Sequence, residues 1–260
     1  MEGSTGTPKA CLLIFRRWFW WSRFVLTQVS HGGRDPGAVS ADGRHLEKDN
    51  TLSIARAIHG KEPNLPDVQF AYTRLKDKHF HEDPVEDLAA RVKFANAGAA
   101  DLFVSVHQNA DKQRRGYGAE TYYFGAGNHF SVEGEKLAQA VQTALVRNTD
   151  LHDRGVKPTR FYVIRHTVMP AVLVEAGFIG GDPAEAEFVS RPETIGRIAE
   201  GIMMGIAEYL GIRYGPAPAW DPQAEIDTLL ADGTINTPRT PGQPVNWGEF
   251  ATVLNRIRKG

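Results

Sequence analysis

The chain of 260 residues contains a single cysteine, Cys11, which excludes an intrachain disulfide and any metal site built on cysteine pairs. It also lacks charge of one sign. Lys and Arg number 30 against 31 Asp and Glu, a formal net charge of -1, so nothing in the balance calls for nucleic acid as a partner. Long apolar runs are missing as well. The most apolar stretch, residues 11–29, is broken by Arg16, Arg17 and Arg23, which is too charged for a spanning helix and offers no clean signal-peptide core or cleavage site. Trp18, Trp20 and Trp21 sit among those arginines and read as the lead-in to a core strand, with an amphipathic contact surface as the alternative. Gly32-Gly33 is not followed by Walker or dinucleotide spacing, and neither Ser30 nor Ser105 sits in a nucleophile elbow.

What is present is the make-up of an ordinary globular protein, 42% hydrophobic and 23% charged, enough for one sizeable core and a small appendage. Strand-like and helix-like patterns alternate from about residue 24 to 212. Phe24 to Val29, Val68 to Tyr72, Leu102 to Val106, Phe161 to Ile164 and Ala171 to Glu175 read as strands. Helices open near Glu47, at the Asp83 cap with Pro84 behind it, at the Ser131 cap, and again along Ile195, Ile198, Ile202, Ile206 and Leu210 up to Gly211. Such alternation predicts an α/β fold, a twisted and mostly parallel or mixed central sheet flanked by helices. The expected organisation is an N-terminal extension over 1–23, a main domain over 24–213, a Pro- and Gly-rich linker over 214–223 and a small helical module over 224–260. The last piece has too little apolar surface for a robust core of its own.

Four residues stand out for chemistry. His31 follows the first apolar strand in Ser30-His31-Gly32-Gly33-Arg34-Asp35-Pro36-Gly37, His107 and Glu175 end the runs Phe103 to Val106 and Ala171 to Val174, and Glu47 opens a helix. Sheets of this class carry their chemistry at the carboxyl ends of strands, so the four are expected to converge on one edge. Two His and two Glu suffice for a two-His, one-carboxylate zinc site with a second carboxylate as base. Singly, His31 also reads as a turn residue, Glu47 as a first-turn acid and His107 as a core histidine. Glu175 is harder to dismiss, because a carboxylate ending Ala-Val-Leu-Val is costly to bury unless paired or used. Arg34, Arg74 and Arg91 read equally as substrate groups or structural ion pairs. The remaining histidines have no matching carboxylate spacing, although His79-Phe80-His81 could take up metal adventitiously.

The ordered motifs His31-Gly-Gly-x-Asp35-Pro-Gly, Glu47-Lys48, Thr73-Arg74, Arg91 with Ala95-Asn96, Ser105-Val-His-Gln-Asn-Ala110, Gly118-Ala-Glu-Thr121, Asp153-Arg-Gly-Val-Lys157 and Met169 to Phe178 resemble the zinc-dependent N-acetylmuramoyl-L-alanine amidases of the amidase-3 type over residues 25 to 212. One departure is Gln28 and Ser30, where the family pattern has Asp and Gly. The resemblance implies Zn2+ held by His31, Glu47 and His107, Glu175 as the catalytic carboxylate, and peptidoglycan as substrate, cleaved between the lactyl group of muramic acid and L-alanine. Alternatives are another zinc amidohydrolase or carboxypeptidase acting on wall peptides, or a non-catalytic wall-binding protein, which would be expected to have lost one of the four residues. Action at the bacterial cell wall follows, with phage-type release or atypical export. Trp247 to Arg256 resembles, more weakly, part of an S-layer-homology-like wall-binding module.

Overall fold

The computed structural model describes residues 23–127, 129–216, 221–235, 240, 242, 244 and 247–257, so the expectations for Cys11, Trp18, Trp20, Trp21 and all of the 1–23 extension but Arg23, which opens the first strand, lie outside the described residues. In chain order the first unit, which ends at Pro216, runs β1 (Arg23–Val29), α1 (Glu47–Lys61), β2 (Val68–Tyr72), α2 (Pro84–Gly98), β3 (Leu102–Ala110), β4 (Ala119–Ala126), β5 (His129–Phe130), α3 (Val132–Thr149), β6 (Asp153–Thr159), α4 (Tyr162–His166), β7 (Ala171–Gly180), α5 (Pro183–Val189) and α6 (Pro192–Leu210). The sheet order is β2-β1-β3-β7-β4-β5, with β6 paired to β4. β2, β1, β3 and β7 are parallel, while β4 opposes β7 and β6 follows β4, which makes the sheet mixed.

β1, β3 and β7 are near-continuous apolar runs because both their faces are covered. Val25, Val104, Val106, Val172 and Val174 point to one face, where they pack with Ile54 and Ile58 of α1, Leu137, Val141 and Leu145 of α3 and Ile198, Ile202 and Ile206 of α6. The alternate residues Phe24, Leu26, Phe103 and Leu173 face the other way and meet Val92 of α2 with Val163 and Ile164 of α4. This second face turns polar toward the carboxyl ends of β1 and β3. Its next positions are Gln28, Ser105, His107 and Glu175, with Ser105 Oγ donating to Gln28 Oε1.

The helix starts behave as their caps dictate. Asp83 accepts from the backbone N–H groups of Val85 and Glu86, Ser131 from Gly134, and α6 ends on Gly211 in the left-handed conformation. Phe161 to Ile164, expected as a strand, is instead the short helix α4. A four-residue apolar run carries no period that separates the two states, and here Val163 and Ile164 are both buried against the second cluster. β4 and β6 are not among the expected strands: Glu120, Arg154, Gly155, Lys157 and Pro158 carry little intrinsic strand preference. Tyr214 and Gly215, assigned to the linker, are tied to Asn64 through its side chain and its carbonyl.

The second unit, residues 217–260, contains α7 (Pro222–Ala231), capped by Asp221, and α8 (Trp247–Ile257), where the Trp247 and Phe250 rings meet edge to face at 5.9 Å. No helix among the described residues is long and apolar enough to cross a membrane.

Within the first unit, α3 and α6 approach closely enough that a Cβ on Gly205 would lie 2.4 Å from Val141 Cα. Gly205→Ala would ordinarily stabilise a helix by about 0.5–1 kcal/mol; here overpacking against backbone should lower stability by about 1–3 kcal/mol. Urea unfolding checks this, and a gain in stability would show that the helices part freely.

Candidate active site

His31 lies two residues past β1 and adopts φ 56°, a left-handed conformation that an ordinary side chain keeps only when its surroundings impose it. Two buried arginines impose it. Arg91 donates from Nη1 to Val29 O at 2.5 Å and from Nη2 to His31 O at 2.9 Å, while its Nε contacts Asp87. Arg74 donates from Nη2 to Ser30 O and to Lys48 O, both at 2.7 Å. Both guanidinium groups therefore fasten the backbone that carries His31. Arg34 is the opposite case, an exposed side chain 3.4 Å from Glu82.

Glu47 is the first residue of α1, brought over the ends of β1 and β3 by packing of Ile54 and Ile58 on the sheet. Its Oε1 meets His31 Nε2 at 3.1 Å and His107 Nδ1 at 3.0 Å, and accepts from Gln108 N at 3.1 Å; its Oε2 accepts from Ala38 N at 2.8 Å. One donor atom from each of His31, Glu47 and His107 lies within 4.8 Å of the others. Gly37 is required beneath them: a Cβ there would fall 2.6 Å from both Glu47 Oε2 and His31 Cδ2, and its φ of 66° suits glycine. His107 and Glu175 do not end their strands as expected. They face each other as direct partners inside β3 and β7, and the regular ladder breaks immediately after them, so the site marks the end of regular pairing.

Electrostatics separates the four. Burial opposes charge on His31, but hydrogen bonds to Asp35 and Glu47 outweigh it and bring His31 up to about 9. His107 shares the same Glu47 oxygen without a second carboxylate, and burial holds it below the ordinary value. Burial also opposes charge on Glu47, yet the two imidazoles hold it well below the usual carboxylate range. Glu175 is pushed well above that range by burial and then by the charges of Glu47 and Glu120, and its Oε2 is buried with no hydrogen-bond partner. Two imidazole nitrogens aimed at one carboxylate oxygen form a donor set that a divalent cation fits.

Reading the chain by residue type missed the supporting groups. Asp35 Oδ2 lies 2.6 Å from His31 Nδ1 and turns the ring's Nε2 toward Glu47. Gln108 bridges Asn50 to Ala176 O, tying α1 to β7. Glu120, the partner of Glu175 across β4 and β7, is buried and gathers Asn109, Tyr122, Arg154 and Lys157. Asp35 and Glu120 both fall within recognised motifs, yet their contacts arise only from tertiary pairing.

A sheet-edge cluster of two imidazoles and a carboxylate beside an unpaired buried acid is the make-up of a metal-dependent hydrolase. Residues 25–208 match the N-acetylmuramoyl-L-alanine amidase family of the amidase-3 type. The germination-specific N-acetylmuramoyl-L-alanine amidase of Bacillus subtilis (strain 168) is 31% identical over 196 residues, covering 72% of this chain and 79% of that protein. The endolysin of Bacillus phage SPP1 is 32% identical over 192 residues, covering 74% and 68%. Among solved structures, an N-acetylmuramoyl-L-alanine amidase from Clostridium difficile 630 superposes with a TM-score of 0.67 at 33% identity, covering 74% of this chain and 98% of that one. The chain belongs to the N-acetylmuramoyl-L-alanine amidase family, and it is an amidase of that family.

Since Asp35 holds the His31 ring from behind, Asp35→Ala should weaken divalent-metal binding by about 10–100-fold. Competition with a chromogenic chelator measures this, and unchanged affinity would remove Asp35 from the site.

Proposed function

We propose that this amidase hydrolyses the amide between the lactyl group of N-acetylmuramic acid and the L-alanine of the peptidoglycan stem peptide, with zinc held by His31, Glu47 and His107 and with Glu175 as general base. The observation that carries the reading is the buried, unpartnered Oε2 of Glu175 one strand from His107. A carboxylate oxygen in that state costs stability unless a ligand or a reaction uses it. Zinc at such a donor set supplies Lewis acidity, polarising the scissile carbonyl and lowering the pKa of the attacking water to about 7.

The chain's own groups do the rest. Asp35 and the Arg74 and Arg91 clamps fix His31, and Gln108 N and Ala38 N fix the two oxygens of Glu47. Glu175 takes the proton of the attacking water and returns it to the departing amine of alanine. With a divalent cation at the neighbouring donors, Glu175 ionises more readily than burial alone allows, because opposite charge favours the carboxylate. The bacterial cell wall is the place of action, and the endolysin among the relatives supports phage-type release.

The purified protein should contain one zinc per chain, lost in His107→Ala, whereas Glu175→Gln should retain the metal and lose about 10²–10⁴-fold in turnover. Elemental analysis beside product analysis on purified peptidoglycan checks both, and full activity without divalent metal would refute the assignment. We further propose that residues 24–213 are the catalytic domain and residues 224–260 an accessory wall-binding piece. A chain ending at Arg213 should then cleave small soluble muropeptides normally and whole walls poorly. Equal impairment on both substrates would make the tail part of the active domain.

A further inference from the structure

We propose that Arg154 and Lys157 form a carboxylate subsite that holds the acidic stem peptide on the leaving-amine side of the scissile bond; this rests on Glu175 being the proton carrier proposed above. Crossing the sheet at the level of the site, one meets His31, His107, Glu175, Glu120 and then Lys157. His107 and Glu175 are direct partners, as are Glu175 and Glu120, and Lys157 is the partner of Tyr122, two residues on from Glu120. The side chains of His107, Glu175, Glu120 and Lys157 share one face, because successive residues of a strand alternate.

Substrate direction follows from proton traffic. Glu175 returns its proton to the departing amine, so the nitrogen lies on the Glu175 side of the carbonyl and the peptide continues away from His31, over β4 and β6. From β7 to β6 is two strand spacings, about 10 Å. Alanine and the residue after it span about 7 Å when extended, and the lengths of the Arg and Lys side chains close the gap.

The charge arrangement at the far end suits an anion. Glu120 Oε1 accepts from Asn109 Nδ2 at 2.7 Å and Tyr122 OH at 2.8 Å, while its Oε2 accepts from Arg154 Nε at 2.9 Å and from Lys157 Nζ. Two cations thus share one buried carboxylate, leaving surplus positive charge on side chains that are 32% and 39% exposed. Glu185, another acid within electrostatic reach of Arg154, accepts from the backbone N–H groups of Gly118 and Phe178. The Arg154 guanidinium is stacked 4.9 Å from the centre of the Phe178 ring and also bonded through Nη1 to Tyr117 O. A guanidinium braced in this way presents its remaining N–H groups in a fixed direction, which suits a planar carboxylate.

The test compares two substrates on the zinc-loaded, full-length enzyme: N-acetylmuramoyl-L-alanyl-D-glutamate with both carboxylates free, and the same compound with both amidated. The free acid should show a kcat/KM about tenfold or more higher, the effect of a charge-assisted hydrogen bond. Arg154→Met and Lys157→Met should each erode that preference, lowering the ratio of kcat/KM for the free acid over the diamide through a raised KM for the free acid. Equal kcat/KM for the two compounds on the unsubstituted enzyme overturns the subsite, as do variants that keep the full preference for the free acid. Should the variants fail to fold, the unsubstituted enzyme still decides. Calorimetry with L-alanyl-D-glutamate and its diamide needs no turnover, so preferential binding of the free acid supports the subsite even where the assignment of Glu175 fails, and equal binding refutes it.

Discussion

One carboxylate oxygen, Glu47 Oε1, is the point that the surrounding structure is built to hold. Two imidazoles and a backbone N–H converge on it, from the turn after β1 and from β3. The His31 and His107 rings consequently stand edge to face with centroids 5.2 Å apart, an approach that would bring two positive charges together were both protonated. Only one takes the proton readily, and Asp35 decides which. Burying a carboxylate this deeply is unfavourable without partners. The position of α1 is therefore set as much by this polar junction at its first residue as by Ile54 and Ile58 further along.

The same junction explains an otherwise unfavourable feature, two cations buried side by side. Arg74 is brought down to about 10 by burial and then by the neighbouring charge of Arg91, so its presence costs stability. What the pair provides is a set of donors for carbonyls that the sheet cannot satisfy, since the chain leaves the ladder after Val29 and turns left-handed at His31. Every buried carbonyl needs a donor, and a guanidinium serves several at fixed angles. Lysine at either position would keep the charge and lose the fork.

Much of the fold was legible because local and tertiary preferences agree. β1, β3 and β7 announce themselves as apolar runs, and α2, α3 and α6 by cap, period and terminal glycine. Where they disagree the reading fails. β4 carries Glu120 and Thr121 inward and β6 contains Gly155 and Pro158, so both look like loop until a neighbouring strand supplies the pairing. Val163 and Ile164 favour a strand intrinsically, yet the face they must cover is reached by a single helical turn. At the site, His31, Glu47, His107 and Glu175 could be picked out by residue type and by position beside apolar runs. Asp35, Gln108 and Glu120 could not, because a supporting hydrogen bond has no signature in spacing. The two buried arginines were visible as candidates, but only their partners, three backbone carbonyls around His31, fix what they do.

The polar end of the second sheet face also ties the proposed base to its cation. Three conditions push Glu175 toward its neutral form: it is buried, Glu47 lies near it, and Glu120 faces it across the strand pair. Two of those are negative charges, and each is engaged by cations, Glu47 by His31 and Glu120 by Arg154 and Lys157. On the proposed zinc assignment, a divalent ion at His31, Glu47 and His107 would add positive charge next to Glu47 with burial and Glu120 unchanged, and so would move Glu175 toward ionisation. On that assignment metal occupancy and base activation would be coupled, because His107 and Glu175 are direct partners on adjacent strands.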